Sequence, residues 1–193
     1  MSVWIGAGSG EPWSSFDQAR DLAARGKLDA AQEVWAGIAA RRDLESRQVL
    51  QAWHYLRATG VQPPGGIAAD VLGAVAEVPI RKGHDVLAAY RDGSVRYLNH
   101  AGSVAVVDSP PADLGTAVAE WLAIATKVSA AIGPWEKELP AVPQGHARIM
   151  MLTPSGPRFG QGPYDALGRD AMGGAFLGAA SKVLQLVVGL TSS

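Results

Sequence analysis

The chain has 193 residues, with 17 Lys and Arg against 18 Asp and Glu, and no cysteine. Its near-neutral charge excludes binding of nucleic acid through a broad basic face, because such binding needs clustered positive charge. The lack of cysteine excludes disulfides, thiolate metal centres and thiol nucleophiles. Hydrophobic residues make up 48% of the chain, a share typical of folded proteins. The length predicts one domain, or one domain with an appendage.

The first third of the chain predicts an irregular tail followed by three short helices. Residues 1–13 are rich in glycine and serine and lack the pattern of a signal peptide, so a cytoplasmic protein is expected. Apolar residues at helical spacing then predict helices over 14–25, 29–40 and 43–59. Ser14 or Ser15, Asp29 with Gln32, and Asp43 are the expected caps.

The segment ARDLAARGKLDAAQEVWAGIAARRD has an alanine-rich seam and a G-x-L-D-x-A turn. It resembles a degenerate tetratricopeptide-type helical hairpin, over residues 18–60, or about one and a half repeats. Such arrays need about three repeats for stability, so the resemblance implies a helical packing platform and not a solenoid. An ordinary three-helix cap on a neighbouring sheet is the alternative.

Beyond the break at Pro63–Gly66, the apolar period changes from the helical value to 2. Short strands are predicted over 71–78, 85–90, 94–98 and 103–107, with Pro79 ending the first and Asp92-Gly93 forming a hairpin turn. A helix over 113–132, a strand over 146–152, a glycine-proline loop over 153–168 and a helix from Asp170 to Val188 follow.

The predicted fold class is therefore α+β. It consists of a tail (1–13), a helical unit (14–62) and a sheet domain (67–193) built on a four-stranded antiparallel meander. Both long helices are expected to cover one face of the sheet. The last helix is long enough to span a membrane, but Lys182 near its centre makes a core helix the better interpretation, so no membrane span is predicted.

One candidate site is a group of polar residues at the turns of the meander. Consecutive hairpins should bring His84 and Asp85 close to Asn99 and His100, with Arg96 nearby. A His–Asp pair beside a second histidine suits acid–base work. The alternative is turn chemistry, in which these side chains cap free backbone groups. The spacing of the four histidines matches no metal motif, so neither a metal nor a cofactor is predicted.

A second set of candidates points to a protein partner. Trp4, Trp13 and Trp135 lie in irregular segments flanked by glycine or proline, where large amphipathic rings often mark interfaces. Arg158 and Phe159 lie in the glycine loop, which is long enough to form a binding edge. The leading hypothesis is a non-catalytic adaptor that binds a protein and no nucleic acid; a homo-oligomer remains open. A small-ligand-binding domain or hydrolase-type enzyme that uses the turn cluster is the alternative.

Overall fold

The computed structural model describes residues 10–191, without the side chain of Thr191. Its helices are α1 (Trp13–Ala24), α2 (Leu28–Ala40), α3 (Ser46–Ala58), α4 (Gly65–Ala68), α5 (Ala112–Ala131), α6 (Tyr164–Arg169) and α7 (Ala171–Thr191). Its strands are β1 (Gly73–Ile80), β2 (Gly83–Tyr90), β3 (Val95–Leu98), β4 (Val104–Val107), β5 (His146–Thr153) and β6 (Gly156–Pro163). The predicted α+β class is confirmed. Contacts divide the chain into a helical unit, up to Asp70 with Pro154–Gly156, and a sheet unit that contains the rest.

The three predicted helices of the helical unit are present and share one apolar core. The Trp35 and Tyr55 rings stack with their centroids 5.0 Å apart, and the Arg57 guanidinium donates to the Pro154 carbonyl. The core side chains come from α1, α2 and α3: Phe16, Ala19, Ala31, Trp35, Ile38, Ala52, Trp53 and Leu56. Trp35 and Trp53 are thus core residues of the helical unit.

Helix α1 begins at Trp13, two residues earlier than a Ser14 cap requires. The Ser14 and Ser15 hydroxyls donate to the Glu11 carboxylate, at 2.5 and 2.7 Å, and so do not cap the helix. Trp13 is consequently the first residue of α1 and not part of an irregular tail.

The predicted caps of α2 and α3 are also wrong. Helix α2 has no side-chain cap, and the Gln32 amide instead donates to the Thr59 carbonyl at 3.1 Å. Helix α3 begins at Ser46, where Glu45 and Gln48 form a reciprocal capping box. This box satisfies two free backbone donors, which explains why the helix starts after Asp43.

The sheet is six-stranded, in the order β4-β3-β2-β1-β5-β6. The predicted meander of β1 to β4 is confirmed as antiparallel hairpins, and β5 adds to the free side of β1. Gly93 and Gly102 adopt φ of 90° and 88° in the two tight turns, a conformation that favours glycine. Strands β4 and β6 are the two edges.

Two predicted boundaries in the sheet unit are wrong because of proline. Strand β1 continues through Pro79 to Ile80. Because β5 pairs with β1 only as far as Glu77, no β5 carbonyl is left without a donor by the missing proline N–H. The predicted loop over 153–168 is strand β6 followed by α6. An edge strand needs hydrogen bonds on one side only, and it therefore tolerates prolines and glycines that a central strand would not.

Helices α5 and α7 pack on one face of the sheet, as predicted. Trp121 of α5 meets Phe176 of α7 edge-on, with ring centroids 5.4 Å apart, and both side chains are fully buried. Asp170 caps α7, since its carboxylate accepts the Met172 and Gly173 backbone N–H groups at 2.9 and 2.7 Å.

Among the described residues, α7 is the one helix that is long and apolar enough to cross a membrane, judged by length and composition alone. Of its most apolar window, 33% is buried inside the protein. Core helices of soluble proteins pass the same test. Phe176, Val183 and Val187 lie in the core shared with α5 and the sheet. The absence of a membrane span stays a prediction, which these contacts favour.

Candidate functional site

Asp85 joins the β3–β4 hairpin to β2 on the face of the sheet that carries α5 and α7. Its Oδ2 atom accepts the Tyr97 hydroxyl at 2.7 Å. Its Oδ1 atom accepts the His100 backbone N–H at 2.9 Å and lies 3.3 Å from the His100 ring Nδ1. The turn before β2 and the turn after β3 therefore meet at one end of the sheet, where Asp85 and His100 are in contact.

These hydrogen bonds shift two titrations in opposite directions. Burial of the Asp85 carboxyl is the largest effect and raises its pKa, but the donors on Tyr97 and His100 together outweigh burial and lower the pKa from its usual value. Burial, and then the hydrogen bond to the Asp85 carboxylate, raise the pKa of Tyr97 to about 12. At neutral pH the pair is thus a carboxylate that accepts from a neutral phenol.

Asp85 and Tyr97 line a cleft of about 100 Å³ between the sheet and α7. The remaining lining is mostly aliphatic, with a tyrosine and a serine on the helical side: Ala76, Val78, Leu87, Tyr164, Leu177, Ala180, Ser181 and Leu184. The cleft is therefore an apolar slot with one ionised end.

The other predicted members of this cluster do not join it. The His84 ring lies 3.2 Å from the His146 carbonyl, and it leaves β2 on the face opposite to Asp85. Arg96 alternates with Tyr97, contacts Asp108 and lies on the far face as well. The Asn99 amide oxygen accepts the Ala101 and Ser103 backbone N–H groups, which is turn chemistry. No His–Asp–Arg constellation forms as a whole.

A buried charged network on the opposite face was not predicted. Arg148 on β5 is 3% exposed, lies 3.8 Å from the Glu77 carboxylate, and donates to the Gln161 side chain and the Pro140 carbonyl. Its guanidinium lies 5.5 Å from the centre of the Phe159 ring. The Nε and Nη2 atoms donate hydrogen bonds and Nη1 faces the Glu77 carboxylate, so the network holds β1, β5 and β6 together. The signal in the sequence is a single charge within each of two apolar strands, Glu77 in β1 and Arg148 in β5.

The glycine-loop candidates serve the fold of the sheet unit. Arg158 donates to the Ser129 and Ile132 carbonyls, both at 2.7 Å, at the C-terminal end of α5. A cation there complements the negative end of the helix dipole. Phe159 meets Trp135 edge-on at 5.1 Å, and Trp135 remains 39% exposed. An interface through the Trp135 and Phe159 rings stays a prediction.

Trp13, at the start of α1, has one aromatic and one cationic neighbour. Trp13 is half-buried; its ring packs beside Phe16 with centroids 5.8 Å apart, and the Arg47 guanidinium lies 5.8 Å from the ring centre. Trp4 lies outside the described residues. A binding role for either ring stays a prediction.

Strand β4 presents an apolar edge that sequence reasoning missed. Val104 and Val106 are 61% and 55% exposed, whereas the alternate residues Ala105 and Val107 pack against the core. Asn99 and Ser103 form a hydrogen-bonded pair at 3.0 Å, and such pairs alternate along an antiparallel ladder. The backbone groups of Val104 and Val106 therefore point away from β3, outward from the sheet.

Between residues 10 and 191, no group of three or more His, Asp or Glu side chains is placed to hold a metal ion. Comparison with protein-family models, with curated proteins and with solved structures gave no match. The tetratricopeptide-type resemblance of the helical unit therefore remains a prediction. The β4 edge and the Asp85 cleft are two places where the geometry suits binding.

Proposed function

We propose that this protein is a non-catalytic interaction protein that binds an extended segment of a different protein along strand β4. The observation that carries the proposal is the outward edge of β4, with its two exposed valines. An exposed edge strand is a template for strand addition, in which main-chain hydrogen bonds give affinity and alternate side chains give specificity.

The chemistry of β4 supports a partner segment that is extended and uncharged. Val104 and Val106 each direct one N–H and one C=O outward, so a partner strand can form up to four main-chain hydrogen bonds with them. Residues 103–107 carry no charge and no proline, which are the features that commonly block edge pairing. The nearest acidic residue, Asp108, is held by Arg96.

A photocrosslinking experiment tests the proposal. The photoreactive residue p-benzoylphenylalanine replaces Val106, and the full-length chain is expressed in its own cells and irradiated. Ala123 on the exposed side of α5 is the matched control position. A second sample carries Val104→Lys as well, which places a charge on the edge without changing the core-facing residues.

The expected result is a crosslink from position 106 to an uncharged, alternating segment of another protein. Val104→Lys should remove this product, because a lysine on an edge strand disfavours the addition of another strand. Crosslinks no more abundant than those from position 123 would overturn the proposal. So would products that survive Val104→Lys, or that join two copies of this chain only.

A further inference from the structure

We propose that the cleft beside Asp85 and Tyr97 binds a short alkylammonium ion, with the ammonium group at Asp85 and the alkyl chain against the aliphatic wall. This inference concerns a different surface from β4 and does not depend on the partner proposed there.

The charge of the cleft favours a cationic ligand. Asp85 is a half-buried carboxylate, and no lysine or arginine among residues 10–191 lies within ion-pairing distance of it. Its donors are the Tyr97 hydroxyl and two nitrogens of His100. Lys182, which neighbours the lining residue Ser181, is held instead by Glu120 at 2.6 Å. The ionised end of the cleft is therefore complementary to a cation that the ligand supplies.

Asp85 and Tyr97 keep acceptor sites for hydrogen bonds from a ligand. Asp85 Oδ2 accepts one described hydrogen bond, from Tyr97, and a carboxylate oxygen can accept two. The Tyr97 oxygen donates its only proton to Asp85 and keeps its own acceptor lone pairs. These two oxygens lie 2.7 Å apart, so one ammonium group can donate to both. An ammonium group has three hydrogen-bond donors and no acceptor, which matches these oxygens.

The apolar wall of the cleft selects an alkyl chain for the rest of the ligand. Val78, Leu87, Leu177 and Leu184 line the cleft beyond the carboxylate. An alkyl chain gains free energy when it leaves water for such a surface, in proportion to the apolar area that is removed. Tyr164 is 47% exposed at the same cleft, and its ring can interact with a cation through its π face. A small cation without an alkyl chain would use only part of the site.

The test uses n-butylammonium chloride, with n-butanol as a neutral probe of similar shape. Amide NMR shifts of the full chain are followed during titration with each probe at neutral pH. We expect saturable shifts at Asp85, Tyr97 and Ser181 with butylammonium, with a Kd of about 1–10 mM as befits so small a ligand, and at least about tenfold weaker binding of butanol.

Variants distinguish binding at the proposed site from nonspecific binding elsewhere on the protein. Asp85→Asn should weaken butylammonium binding about tenfold or more, whereas Asp108→Asn, an exposed carboxylate of β4's end, should leave it unchanged. Ser181→Leu fills the cleft from the exposed side of α7 and retains the carboxylate, so it should abolish binding even if Asp85→Asn folds poorly. Equal binding of butanol, unchanged binding by Ser181→Leu, or no saturable shift would overturn the proposal.

Discussion

The two edges of the sheet unit are built in opposite ways. Strand β6 carries Pro157 and Pro163, and the Pro157 carbonyl already accepts the Trp135 backbone N–H at 2.8 Å. Strand β4 carries neither proline nor charge and exposes Val104 and Val106. Natural sheets protect their edges with proline, charge or a covering loop. Strand β6 has proline and the Trp135 contact, whereas β4 has neither proline nor charge and is protected by its short length of four residues. This is the contrast expected if β4 is kept open for pairing.

The edges also differ in how firmly they are anchored. Buried Arg148 holds β6 from one face and Arg158 holds it from the other. The β4 hairpin is held by Asp85 and by the Arg96–Asp108 pair, of which the aspartate is exposed. We therefore expect the β6 side to resist local opening and the β4 side to open at lower cost, since opening is governed by the buried contacts of each segment.

The largest effect is expected from Arg148→Met. It leaves the Glu77 carboxylate buried without its partner, and removal of one member of a buried charge pair costs about 3–5 kcal/mol. Urea unfolding of the purified chain measures the loss. The exposed Arg169→Met is the control, and it should change the free energy of unfolding by less than about 0.5 kcal/mol. Equal losses for the two variants would contradict a structural role for the network.

Arg158→Met should cost about 2–3 kcal/mol, because two carbonyls at the end of α5 lose a charged donor. The same unfolding assay applies. Arg158→Lys retains the charge at the helix end and should recover part of the loss. If both variants unfold like the native chain, Arg158 does not anchor β6, and the difference between the edges must come from the loop at Trp135.

Asp85→Asn should cost about 1–2 kcal/mol at neutral pH, through weaker acceptance from Tyr97 and His100. The pKa of Asp85 is lowered in the folded protein, so its stabilising effect is complete above its ordinary pKa of 3.8 and is lost as the pH falls through the folded value. The gap between native and variant chains should therefore close in acid. Exposed Asp165→Asn is the control. A gap that persists at about pH 2 would exclude the carboxylate as its cause.

Local patterns were sufficient to predict the meander and the contact of Asp85 with His100, because Asp92-Gly93 and Asn99–Gly102 fix successive hairpins. They were not sufficient to identify the edges. Which strand lies at an edge depends on whether β5 adds to β1 or to β4, and that choice is made by packing across the whole sheet.

Strand β6 was missed for a different reason. Its prolines and glycines have low strand propensity, and only its position at the edge makes them acceptable. The Glu77–Arg148 pair was detectable in principle as two opposite charges within apolar strands. Their pairing could not be predicted without the register, which places Glu77 directly opposite Arg148.

The smallest change in stability is expected at the open edge itself. Val104→Lys should alter the free energy of unfolding by less than about 0.5 kcal/mol, because the side chain is 61% exposed and lies opposite the apolar Leu98. Its neighbour Ala105 packs against the core from the other face, so Ala105→Lys should cost markedly more. The pair of variants is compared by urea unfolding and by light scattering at high protein concentration. A lysine at 104 should slow edge-to-edge association while leaving the free energy of unfolding unchanged. Equal losses of stability for the 104 and 105 variants would mean that β4 has no open face.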